Sequence, residues 1–194
     1  MDAVVQAGAD YVGFVFFQRS PRYVTPAEAR ELSARHAGQM PLRVGLFVTP
    51  DDAEIDDILS EISLDVLQVH ASPERVRQLR LRFGRPVWRQ AGVASEADFP
   101  DEHEIADGFV LEAKPPAGAT RPGGNAVQAD WPLLARFHHS KPWLLAGGLN
   151  PGNVAEGLRV TGAPGVDVSS GVETAPGVKS PALIAAFVKA AHRR

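Results

Sequence analysis

The sequence predicts an α/β protein of the (β/α)8 barrel type, a single domain over residues 1–194. Short apolar, β-rich runs alternate with helix-like segments along the whole chain. The runs are nearly continuously apolar, as in strands buried on both faces, and this calls for parallel pairing through right-handed crossovers. No GxGxxG follows the first run, while polar and glycine-rich residues collect at the C-terminal ends of many runs, as in a barrel rather than an open doubly wound sheet.

Taken in order, residues 2–8 read as a helix stopped by Gly8. Strands follow at 11–17, 43–48, 66–70, 86–93, 108–112, 142–147 and 165–170. Helices are expected to start near Thr25-Pro26, Thr49-Pro50, Ser72-Pro73, Ser95, Asp130-Trp131-Pro132, Asn150-Pro151 and Ser180-Pro181, most of them a capping residue followed by a first-turn proline. The strands number one fewer than a (β/α)8 barrel needs, so the first strand is expected to be missing from this chain, through a misplaced start, a truncation or a true loss. An unpaired barrel edge exposes backbone donors and acceptors, which predicts lowered stability, strand exchange or a homodimer. Residues 114–125, rich in Pro and Gly, are expected to form an active-site loop.

Composition narrows the function classes. Hydrophobic residues at 44% and charged residues at 22% are ordinary globular proportions. With 20 Lys and Arg against 23 Asp and Glu, the net charge of -3 gives no reason to expect nucleic acid or an anionic membrane surface as partner. The chain has no cysteine, which removes disulfides, thiolate metal sites and a cysteine nucleophile. No apolar run is long enough to span a bilayer and the N-terminus lacks a signal-like pattern, so a cytoplasmic location is expected.

The strongest local signal is a pair of loops, 146–151 and 168–173, after the last two strands. Gly147, Gly148 and Gly171 would let backbone N–H groups approach an anion, and Ser169 and Ser170 add donors, so a phosphate site is expected where barrels commonly build one. The plainer reading is tight turns. Arg22, just past the first observed strand, is suited to fork onto a substrate carboxylate, or is a solvated loop arginine. Asp130 by itself reads as a helix N-cap before it reads as a catalytic acid. Asp167 lies inside an apolar strand, where a charge needs a partner or a ligand. Gln68 and His70 end the third of these strands, and their role stays open.

Together, AGADYVGFVFFQRSPRYVTPAEAR, LQVHASPE, ADWPLL, LLAGGLNPGNV and GVDVSSGVE with PGVKSP resemble phosphoribosylanthranilate isomerase, the barrel enzyme of tryptophan biosynthesis. The resemblance runs in order from Asp2 almost to the C-terminus. It implies an Amadori rearrangement of N-(5-phosphoribosyl)anthranilate without metal or redox cofactor. It also implies roles: Asp130 as general acid, Arg22 as ligand of the anthranilate carboxylate, Asp167 as an acidic residue at the substrate, and Gly147, Gly148, Ser169, Ser170 and Gly171 as the phosphate grip. The family's general base is a cysteine on a strand reading close to KICG. No counterpart exists here, which implies impaired activity in the chain as written. Residues 121–126 also depart from the family's glycine-rich pattern. The alternatives are a non-catalytic phosphosugar-binding barrel, or another phosphate-binding barrel isomerase such as a histidine-pathway enzyme or a ribulose-phosphate epimerase.

Overall fold

The computed structural model describes residues 1–36, 41–114 and 127–192. Seven strands form one parallel sheet in the order β1-β2-β3-β4-β5-β6-β7: β1 (Tyr11–Val15), β2 (Leu42–Val48), β3 (Val66–His70), β4 (Val87–Val93), β5 (Gly108–Ala113), β6 (Trp143–Leu145) and β7 (Gly165–Val166). The strand order follows the chain order without the reversal that marks a doubly wound sheet, and this is barrel topology. Among the described residues β1 and β7 are the sheet's two edges. The sheet curls, because α1 (Asp2–Ala7) packs on the last helix, α7 (Pro181–Ala191), and one cavity is lined both by Val15 of β1 and by Asp167 just beyond β7.

The remaining helices are α2 (Pro26–Ala34), α3 (Asp52–Glu61), α4 (Pro73–Phe83), α5 (Trp131–Leu134) and α6 (Val154–Thr161). Where the capping residue was read correctly, the caps form. Thr25 and Glu28 make a reciprocal capping box, and Ser72 and Ser180 accept from the N–H groups of Arg75 and Leu183. Other starts move. Thr49 takes the left-handed φ of 45°, so α3 begins only after Asp51, whose side chain accepts from the Glu54 N–H at 2.8 Å. Asn150 makes a turn, accepting from the Gly152 N–H at 2.8 Å, and α6 starts after Asn153. The segment after Ser95 is one short 3-10 turn, Glu96–Asp98, because Asp98 collects the N–H groups of Ala94 and Ser95. The strand expected over 165–170 pairs only at Gly165–Val166. A hairpin not foreseen from the sequence, β8 (Glu173–Ala175) with β9 (Val178–Lys179), follows it.

Strand alternation explains the apolar runs and builds the site's floor. Outward residues, among them Phe47, Leu67, Val69, Val87, Phe109, Leu111 and Leu145, join the large core under the helices. Inward residues Val44, Val66, Trp88, Val110 and Ala146 fill a second, smaller core inside the barrel. Two residues further along three of these strands the inward face turns polar, at Gln68, Gln90 and Glu112. Each of these three strands therefore carries an apolar plug below and a polar layer above it.

Candidate active site

A cavity of about 110 Å³, open to solvent, sits at the C-terminal ends of the strands. That is the end at which barrel enzymes place their chemistry. Its lining brings together Arg22, Gly147, Gly148, Asp167, Ser169 and Ser170, with His70, Gln90 and Glu112 beneath. In the floor, Gln68 Nε2 donates to Gln90 Oε1 at 2.8 Å and Gln90 Nε2 donates to Glu112 Oε1. Gln68 and Glu112 are buried, so this chain satisfies polar groups that would otherwise be costly to hold there.

The two glycine loops are shaped by close approach. Gly147 and Gly148 have φ of 84° and 67°, and a Cβ on Gly148 would lie 2.7 Å from the Gln128 Cα. Asn153 pins the first loop, its side chain donating to the Gly148 carbonyl at 3.0 Å and accepting from the Asn150 N–H at 2.8 Å. A Cβ on Gly171 would fall 1.7 Å from the Leu149 carbonyl oxygen, so the second loop fits against the first only as glycine. Two backbone segments thus meet with no side chain between them.

Arg22 enters from the loop after β1 and is mostly buried. Its Nε and Nη2 donate to the two carboxylate oxygens of Glu173 at 2.7 and 2.8 Å. Burial raises Glu173's pKa, but hydrogen bonds and charge from Arg22 and Lys179 outweigh it and hold the carboxyl at about 2. Asp167 is pushed the other way: burial raises its pKa, with the Lys179 charge and a bond from the Val168 N–H only partly opposing. Burial alone lowers the His70 imidazole to about 4, so it is neutral near pH 7.

A family model described as N-(5'phosphoribosyl)anthranilate (PRA) isomerase matches residues 1–190. The chain belongs to that family. It is 54% identical over 190 residues to N-(5'-phosphoribosyl)anthranilate isomerase of Acidiphilium cryptum, covering 98% of this chain and 91% of the relative. The Paracoccus denitrificans isomerase is 53% identical, over 96% of this chain and 88% of its own. Among solved structures, the phosphoribosyl anthranilate isomerase of Thermus thermophilus superposes with a TM-score of 0.80 at 29% identity, covering 97% of this chain and 90% of that one. An isomerase complexed with reduced 1-(o-carboxyphenylamino)-1-deoxyribulose 5-phosphate superposes at 0.76 with 34% identity, covering 97% and 90%.

The positions that resemble the isomerase's working residues do not all face the cavity. Asp130 is exposed at the start of α5 and accepts from the Leu133 N–H at 3.0 Å, outside the cavity lining. It follows Val127 and Gln128, which lie against Gly147 and Gly148, so it belongs to the segment that crosses the cavity's rim. Gly171 shapes the cavity without lining it. Residues 121–126 and most of the expected loop at 114–125 fall outside the described residues. Sequence reasoning assigned no role to Gln90, Glu112, Glu173 or Lys179. Gln90 and Glu112 carried a readable signal, since each is a polar residue inside an apolar run at the inward period of two.

Proposed function

We propose that this chain is a cytoplasmic phosphoribosylanthranilate isomerase, converting N-(5-phosphoribosyl)anthranilate to 1-(2-carboxyphenylamino)-1-deoxyribulose 5-phosphate in tryptophan biosynthesis. One observation carries the reading at the site: a single cavity is lined both by a mostly buried arginine and by two interlocked glycine loops. A ligand with a carboxylate at one end and a phosphate at the other matches both.

In this reading the phosphate rests on the N–H groups around Gly147, Gly148 and Gly171, with the hydroxyls of Ser169 and Ser170. Arg22 receives the anthranilate carboxylate. Asp130, carried on the rim segment, donates its proton to the ribose ring oxygen, and the ring C–O bond breaks to leave a Schiff base. Transfer of the C2 proton to a base, Asp167 or solvent in this chain, then gives the enol of the aminoketose, which takes a proton at C1 to become the ketone. Asp167 lies at the reacting carbons, where its raised pKa fits a group that exchanges protons. The chain contains no cysteine. We therefore expect turnover about 10²–10⁴-fold below that of an isomerase with a cysteine base, yet above the uncatalysed rate.

Loss of phosphoribosylanthranilate fluorescence tests this. Conversion by the chain as written is expected, reduced about 10²–10⁴-fold further in Asp130→Asn. No conversion, or an unchanged pH-rate profile in Asp130→Asn, contradicts the assignment.

A further inference from the structure

The β8–β9 hairpin, absent from the sequence-based expectations, touches two of the loops that line the cavity. We propose that Glu173 and Lys179 are positioning residues, which fix the direction in which Arg22 meets the substrate carboxylate and tie that arrangement to the Ser169 loop. The inference rests on the isomerase reading above and adds to it the means by which the carboxylate end is recognised.

Three observations converge on it. Glu173 occupies the Nε–Nη2 edge of Arg22 completely, at 2.7 and 2.8 Å, with side-chain exposures of only 12% for Arg22 and 4% for Glu173. A guanidinium held along one edge has one plane and one direction left to offer. Among the described residues Arg22 Nη1 has no hydrogen-bond partner, and Arg22 lines the cavity. Next, Lys179 Nζ donates to Glu173 Oε1 at 2.8 Å, to the Ser169 carbonyl at 2.8 Å and to Ser169 Oγ at 3.4 Å. Glu173 shares its carboxylate between Arg22 and Lys179, so it orders Arg22 while only part of its charge falls to that guanidinium.

The third observation is steric and independent of charge. Gly177, at the hairpin tip, has φ of 82°, and a Cβ there would lie 2.4 Å from the Pro21 carbonyl oxygen. The tip therefore seats directly on the loop that carries Arg22. The hairpin thus contacts both the Arg22 loop and the Ser169 loop, two segments that line one cavity.

The experiment is calorimetric titration of two probes. One is the reduced product analogue, 1-(o-carboxyphenylamino)-1-deoxyribulose 5-phosphate in reduced form; the other is the same compound with phenylamino in place of carboxyphenylamino. Against wild type, Glu173→Gln is expected to bind the carboxylated probe about tenfold more weakly, the effect of freeing one ordered side chain, and the decarboxylated probe equally well. Glu173→Asp should recover part of the loss. Gly177→Ala, which keeps every charge, should lose affinity in the same carboxylate-dependent way, and it carries the test should Glu173→Gln fail to fold. Equal weakening for both probes would overturn the proposal, leaving Glu173 as a fold-stabilising residue, and so would no weakening for either. Failure of wild type to bind either probe would instead overturn the isomerase reading itself.

Discussion

The strands from β2 to β5 and the pair β6–β7 are built on different principles. The former run five to seven residues, are paired over three to six positions, and pack large apolar side chains outward and an apolar plug inward beneath the Gln68–Gln90–Glu112 layer. β6 and β7 run three and two residues, and the chain beyond them is fixed by the Gly171–Leu149 contact, the Asn153 pins and the Lys179 bonds. The first region is held by area removed from water, the second by local fit with no spare volume. A site that needs bare backbone N–H groups can only be made in the second way.

Two core and loop substitutions should separate the regions. Phe109→Ala, at a fully buried side chain of β5, is expected to cost about 3–5 kcal/mol in denaturant unfolding while folded protein still binds the reduced product analogue. Gly171→Ala should cost less stability, about 1–3 kcal/mol, yet abolish binding of that analogue, because the added methyl forces the two loops apart. Equal affinity for wild type and Gly171→Ala would remove the interlock from the account.

Acid unfolding sharpens the same contrast. His70 has its pKa lowered from 6.5 to about 4 in the folded state, so the unfolded chain takes up the proton more readily. Its contribution to stability is full above 6.5 and is lost as pH falls through about 4, and His70→Gln should flatten the unfolding curve in that window. Glu173, lowered from 4.5 to about 2, should act later: its contribution is present above 4.5 and fades towards 2. A Glu173→Gln protein whose stability follows the wild-type curve between those values would contradict the buried pairing with Arg22.

The sequence makes the two regions legible to different degrees. Continuous apolar runs such as 44–48 locate the buried strands, since burial on both faces favours that pattern. Gly147-Gly148 and Ser169-Ser170-Gly171 were readable as a loop pair, and Asp167 as a charge out of place. Arg22's partner was not: Glu173 stands 151 residues away, and nothing local to either position announces the other. The short strand β7 was overextended for a related reason. Val168 continues the alternation of the apolar run, but the backbone after Val166 leaves the sheet and turns into the 3-10 segment Ser170–Val172.

A single ligand is expected to span the cavity from Arg22 to the glycine loops. A crystal structure of this chain with the reduced product analogue tests it most directly. The prediction is phosphate oxygens on the N–H groups near Gly148 and Ser170, with the anthranilate carboxylate on Arg22 Nη1 and the Glu173 pair intact. A ligand bound elsewhere, or with its phosphate on Arg22, would contradict the account.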